Sequence, residues 1–504
     1  MTSNFLDILR HHFSGQLGAR LISFIITSIL LRYVSISLTG LINVRMTLLY
    51  TTIGFLVREP FRKTCLSSDL SLLESRKYAL LSIPFSLSVT LICCGIWHLF
   101  GCPESEFASH YSLLIFIFAS SAFIETLVEP CVIYALKTGD NVLFSYSQSI
   151  LTLLQKLIVF GFVLGSNVNH VTAFCIAQLS ASIIFAAIYF IKWIRIKEHK
   201  QSFSTVRYEK HYLKLLGWLI GHSIIKQLLT DGAGYVMVFT NVLSLKMQGV
   251  YDTVERLGSL ATRIVLTPLE ESAFIYFSSN LKRGGVDSSD SQQALKKVST
   301  TYFSLLRIVI NLGLVVLVFG IPYSSLVIRI YGGAQVAENN GGQMLMLYLV
   351  YLLVMAVNGI TECFAFASMG TNEILSHGKF LFLSFFVHYT LHIVLSHTIG
   401  PYGFIVSNCI NSALRIIFNG HYIMKFLKLR LSYISTILPS FKLVTMLFGS
   451  FFVIVLSSVI FGSQEFDLLH SLANVAVGGV LFLGVMAYLY QSEHLFTSLL
   501  IKEE

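Results

Sequence analysis

The sequence predicts an all-α polytopic membrane protein with about fourteen transmembrane helices, in two pseudo-symmetric six-helix lobes around a central cavity plus two C-terminal helices. Three observations predict this class: a shortage of charge, apolar runs of bilayer length, and basic residues confined to alternate loops. Hydrophobic residues make up 55% of the 504 and charged residues 12%, and mean hydropathy is +0.73. A soluble domain carries about 25% charged residues, so this chain lacks the polar residues to cover a water-facing surface. Lipid accepts an apolar exterior, provided the backbone satisfies its own hydrogen bonds.

The apolar runs are near the length of about 20 residues needed to span a bilayer. They lack the period-two alternation of barrel strands, so helices are implied. The segments fall at roughly 16–34, 38–57, 79–100, 110–134, 142–165, 170–191, 215–243, 248–278, 298–321, 343–368, 378–397, 401–424, 436–461 and 468–490. The first carries Arg20 and Arg32 without a small-residue cleavage site, and reads as a retained helix rather than a signal peptide.

Loop charges test this count. With the N-terminus cytosolic, the loops after even-numbered segments hold 22 Lys and Arg, from Arg58 to Lys442, against Lys246 and Arg329 on the other side. One segment missed or invented would scramble that asymmetry, which the positive-inside rule requires. Both termini are therefore expected in the cytosol. The net charge of +9 is a topology signal, and nucleic acid is not expected as a partner.

A segment rich in Lys, His and Ser separates six helices from eight. The expected organisation is an N-terminal lobe at 1–192, a cytosolic linker at 193–214, a C-terminal lobe at 215–425, and two helices with a cytosolic tail at 426–504. A faint repeat supports two lobes. Gly40 and Gly249 stand near the starts of the second and eighth segments, and Pro60 and Pro268 near their ends. Repeated halves are a habit of transporters.

Charges inside spans cost roughly 2.5 to 3.5 kcal/mol each and mark interior or aqueous surfaces. In the eighth segment Asp252, Arg256, Arg263 and Glu270 fall within about 40° of one another on an ideal helix, a stripe that cannot face lipid. With Arg45, Lys156 and Arg415 they form the candidate substrate-binding set: a cationic cleft for an anionic head group, since guanidinium offers paired donors to phosphate. Glu125, Glu129, Lys226, Asp231 and Glu362 are secondary candidates, together with Arg58. For Arg58 and Glu59, however, snorkelling from a span end is explanation enough. Internal pairing is the alternative for each charge, for instance Asp252 with Arg256 or Glu129 with Lys156.

Other chemistry is missing from the sequence. There is no phosphate-binding G-x-x-x-x-G-K-[ST] loop, no H-E-x-x-H and no G-x-S-x-G. The eight cysteines include no C-x-x-C pair, and helix packing is their expected role. His388 and His392 share a helix face. Gly332-Gly333 and Gly341-Gly342 read as turn material. Neither an enzyme, a metal site nor a cofactor is expected.

The stretch Asn43-Val44-Arg45-Met46-Thr47-Leu48-Leu49-Tyr50, with Arg58-Glu59-Pro60-Phe61-Arg62-Lys63, closely resembles the eukaryotic Rft family. The likeness continues through Lys226-Gln227-Leu228-Leu229-Thr230, Gln248-Gly249-Val250-Tyr251-Asp252, Pro268-Leu269-Glu270-Glu271-Ser272 and Asn358-Gly359-Ile360-Thr361-Glu362-Cys363-Phe364. That resemblance implies translocation of a dolichol-diphosphate-linked oligosaccharide across the endoplasmic reticulum membrane for N-glycosylation. It also implies the two-lobed, alternating-access fold of the multidrug, oligosaccharidyl-lipid and polysaccharide exporters. Ala233-Gly234 stand where the family often has an acidic residue and Arg, so no role for such a pair carries over. A cation-coupled small-molecule exporter and a non-transporting glycolipid-binding accessory protein are the alternatives.

Overall fold

The computed structural model describes residues 22–67, 70–103, 107–195, 208–281, 289–428, 437–461 and 468–492, and among these no strand occurs. Helix α1 spans Ile22–Tyr33 and α2 Ile36–Cys65. Then follow α3 (Leu72–Phe100) and α4 (Ala108–Lys137), α5 (Asn141–Gly165), α6 (His170–Arg195), α7 (Lys210–Thr230) and α8 (Gly232–Phe239). Next come α9 (Leu245–Ala261), α10 (Thr267–Asn280), α11 (Ser289–Ala337) and α12 (Gly341–Ser368). The chain continues through α13 (Thr371–Ile399), α14 (Tyr402–Phe426), α15 (Phe441–Phe461) and α16 (Leu468–Ser492).

Ten of these are long and apolar enough to cross a membrane: α2 to α6, α11 to α13, α15 and α16. The remaining sequence-expected spans are helical too, but α1 is shorter and α7, α9–α10 and α14 carry more polar residues.

Local chemistry sets the boundaries. Ser35, in extended conformation, accepts from the Leu38 amide to start α2. Ser71 and Glu74 cap α3 reciprocally, which supplies orphan amides at a helix start with partners. Pro130 lacks an N–H, and α4 breaks at Val128 just before it. Asp140 accepts from Leu143 at the head of α5.

Two helices loosen into π turns, Leu41–Met46 in α2 and Thr262–Leu266 between α9 and α10. Such turns recur at functional sites. The expected span at 298–321 is longer than the sequence suggested, because α11 runs on to Ala337 past Pro322 and bends at Gly333 with φ 74°. A positive φ is cheap only for glycine. Gly341 and Gly342 begin α12 rather than lying in a loop.

Packing divides the chain into one unit of Met1–Asp252 with Tyr331–Gln335, and a second of Thr253–Ile330 with Val336–Glu504. The central part of the expected linker, 196–207, lies outside the described residues. In the first unit, Tyr331 stacks on Phe24 at 4.4 Å and its carbonyl accepts from Ser28. In the second, the terminal helices α15 and α16 dock on α11: Leu443, Leu447, Val485 and Leu489 enclose Val315 and Phe319. Asn474 accepts from Tyr323 and Ser457, both at 2.8 Å. Their outer faces are apolar, with Phe441, Phe448 and Val459 exposed, as a lipid-facing surface requires.

Candidate functional site

Arg45 sits in the π turn of α2 and is 1% exposed. Its Nε donates to Gln248 Oε1 at 3.2 Å, Nη1 to the Gly101 carbonyl at 2.5 Å and Nη2 to Asn241 Oδ1 at 2.7 Å. Gln248 is itself fixed by donating to the Met237 and Leu243 carbonyls, and Trp97 donates to the Arg45 carbonyl at 3.1 Å. The sequence nominated Arg45 as a cleft cation, but its guanidinium is committed to protein partners. It ties α2 to the ends of α3 and α8 and to the start of α9.

Beside it, α2 and α9 cross at the two glycines of the sequence repeat. A Cβ on Gly40 would overlap the Leu245 carbonyl, and one on Gly249 the Ile36 carbonyl. Asn43 donates to Asp252 at 2.9 Å, so Asp252 has a partner across the helix crossing. Ile36 and Leu245, Gly40 and Gly249, and Asn43 and Asp252 are all separated by the same 209 positions. Contacts of i with j and j with i identify a local two-fold relation.

A second cluster joins α2 to α4. Glu125 is fully buried and accepts from Arg58 Nη2 at 2.6 Å, Ser182 at 2.6 Å and the Tyr50 hydroxyl at 2.7 Å. Glu129 takes Arg62 in a fork, Nε at 2.5 Å and Nη2 at 2.9 Å, with Arg58 Nε at 3.7 Å. Arg58 is therefore not snorkelling, because α2 continues to Cys65 and directs it inward. Nor does Glu129 pair with Lys156, which instead donates to Thr27 Oγ1 at 2.6 Å and the Ser23 carbonyl at 3.3 Å. Sequence reasoning missed Arg62. The signal was there: Arg58 and Arg62, like Glu125 and Glu129, stand one helical turn apart.

Glu59 also has a role the sequence did not reveal. Its Oε1 receives both Lys63 and Lys226 at 2.8 Å. Asp231 accepts from Gln227 at 2.7 Å.

In the second unit the expected stripe is broken. The π turn at Thr262–Leu266 inserts an extra residue and turns the rest of the helix by about 100°, so Glu270 leaves the face that carries Arg256. The side chain of Arg263 lies outside the described residues. The Glu270 carboxylate instead lies against Gly359, where a Cβ would overlap it. Next to Gly359, Asn358 Nδ2 donates to Glu362 Oε2 at 3.1 Å, and Arg415 Nη2 reaches Glu362 Oε1 at 2.5 Å. Helices α13 and α14 are joined by a polar ladder: Ser384 to Asn411 at 2.7 Å, His388 to Asn408 at 2.9 Å, and His392 to Ser407 at 2.6 Å. The two histidine rings lie 4.1 Å apart, consistent with the shared face expected of them.

The arrangement thus offers polar and cationic groups held inside an apolar helical body. Among the described residues, no group of three or more His, Cys, Asp or Glu is placed to hold a metal ion.

Comparison with known proteins places this geometry in context. Residues 7–503 match the family model described as Rft protein. The chain is similar to "Man(5)GlcNAc(2)-PP-dolichol translocation protein RFT1" of Caenorhabditis elegans, 35% identical over 97% of both chains. It is also similar to the proteins of that name from Xenopus tropicalis, 33% identical over 82% of this chain and 80% of the relative, and Mus musculus, 33% identical over 80% and 78%. Among solved structures, the lipid II flippase MurJ in an inward closed conformation superposes with TM-score 0.67 at 14% identity, covering 95% of this chain and 98% of MurJ. An inward-facing multidrug resistance MATE family transporter of the MOP superfamily gives TM-score 0.60 at 13% identity, covering 81% and 95%. At those identities the likeness is one of fold: a polytopic helical architecture.

Proposed function

Because the chain belongs to the Rft family, we propose that it translocates a dolichol-diphosphate-linked oligosaccharide of the Man5GlcNAc2 type from the cytosolic to the lumenal leaflet of the endoplasmic reticulum membrane, supplying N-glycosylation. The observation that carries this reading is end-to-end similarity to a relative named for that translocation. The fold supports it, since a body of apolar helices with internal cations suits a lipid whose head group is anionic and whose tail is not.

The chemical problem is one of desolvation. A diphosphate bearing several sugars does not cross hydrocarbon unaided, whereas its polyprenyl tail never has to leave it. Arg256, Glu362 and Arg415 act as polar contacts for the head group, while Arg45 and Lys156 hold the helices of the first unit in register. Without a nucleotide-binding loop, net flux follows consumption of the lipid on the lumenal side. The finer architecture we propose is fourteen crossings, two six-helix lobes and two terminal helices, with both termini cytosolic as the loop charges require.

The test is reconstitution into phosphatidylcholine vesicles with a head-group-labelled glycolipid. We expect the label to exchange between leaflets faster with protein than without. Glycolipid bound at unchanged crossing rate would refute transport and favour an accessory role.

A further inference from the structure

One feature of the first unit is absorbed neither by its closed ion-pair cluster nor by the Arg45 clamp: a seam of accessible polar side chains where α7 packs along α2, flanked on α7 by the exposed apolar side chains of Ile225 and Leu229. On α7, His222, Lys226 and Thr230 follow one another at helical spacing and are all exposed. On α2, Thr51 and Lys63 are exposed and Glu59 is partly so. An ammonium facing hydrocarbon is costly, so the two lysine heads turn toward water or a polar ligand.

Its charge arrangement says which ligand. Lys63 and Lys226 both contact Glu59 Oε1 at 2.8 Å, so their nitrogens lie within twice that distance of each other. One carboxylate neutralises only one of two ammonium groups. Each side chain remains 45% exposed against 21% for Glu59, and an ammonium carries three donors. Lys226 is further held over the Phe55 ring at 5.3 Å. Two converging, underused point cations form a phosphate-binding arrangement, and two close positive charges suit a doubly anionic group better than a singly anionic one.

We infer that Glu59, Lys63 and Lys226 form a docking subsite for a lipid-linked diphosphate, in which Glu59 gathers the two lysines when the site is empty and competes with phosphate when it is not. Only the identity of the diphosphate rests on the transport reading above; the recognition chemistry stands by itself.

The competing carboxylate gives the experiment a distinctive sign. Affinity for a short-chain prenyl diphosphate is measured on the full chain in phosphatidylcholine nanodiscs, with phosphatidic acid as the comparison ligand and thermal unfolding of each variant as the control for folding. Glu59→Gln is expected to tighten prenyl diphosphate binding about tenfold, and Lys63→Gln and Lys226→Gln each to weaken it about tenfold. Lys226→Arg is expected to retain it. A merely structural ion pair predicts unchanged or weaker binding on Glu59→Gln, and that result overturns the subsite. Phosphatidic acid bound as tightly, with the same gain in Glu59→Gln, overturns it as a diphosphate site and makes it a phospholipid head-group site. If wild-type protein accelerates glycolipid crossing while all three substitutions leave prenyl diphosphate affinity untouched, the subsite fails and the transport reading stands. Tightening by Glu59→Gln with no crossing in wild type supports the subsite and sinks the transport reading alone.

Discussion

In the first unit Arg58 meets Glu125 at 2.6 Å, and in the second Arg415 meets Glu362 at 2.5 Å. Bond length does not distinguish them, but surroundings do. Glu125 has no exposed side-chain surface, whereas Glu362 and Arg415 keep 22% and 27%. Glu125 also has Ser182 and Tyr50 as further donors, while Glu362 accepts from Asn358 and Arg415. The first pair is a structural fastener on its acidic side: Arg58 keeps 20% of its side-chain surface, but removing it strands the Glu125 charge where no water can reach it. An open pair contributes little to stability and can exchange one partner for a ligand.

Four substitutions would break or sharpen that contrast. Glu125→Ala takes from Arg58 its short partner and leaves it the 3.7 Å contact to Glu129, and should cost about 3 kcal/mol, read as a large fall in the unfolding midpoint in detergent. Arg45→Lys replaces a planar fork with a single ammonium that cannot serve Gln248, Gly101 and Asn241 together; a loss of about 2 to 3 kcal/mol is expected from the same measurement. Glu362→Gln should cost about 1 kcal/mol or less yet slow glycolipid crossing in vesicles. Equal destabilisation by Glu125→Ala and Glu362→Gln would erase the distinction. Least of all, Asp140→Asn at the Asp140–Lys192 pair, where both side chains are more than a third exposed, should shift stability by about 0.5 kcal/mol or less.

Much of the fold was legible because membrane spans are announced by length and hydropathy, which need no knowledge of contacts. Helices α7, α9 and α14 are not among the ten that length and hydropathy announce, and it is the alternation of loop charges that argues for counting them. Partnership was harder to read. Arg45 was recognised as buried, but its partners Gly101, Asn241 and Gln248 lie 56, 196 and 203 positions away, and none of them is charged. Snorkelling seemed adequate for Arg58 because the span was drawn to end at 57, whereas the helix continues to Cys65. The stripe ending at Glu270 assumed an unbroken α-helix, and one inserted residue at Thr262–Leu266 was enough to undo it. Periodicity arguments fail at a π turn because the period itself changes.

The crossing of α2 and α9 bears on how the sequence can vary. Gly40 and Gly249 face backbone rather than each other's side chains, so a larger residue at one cannot be offset by a smaller residue at the other, there being nothing smaller. Alanine, the mildest change a single nucleotide can bring to a glycine codon, already introduces the methyl group that collides. Two codons 209 positions apart therefore behave as one intolerant locus, and damaging variants should accumulate at both with neither able to rescue the other.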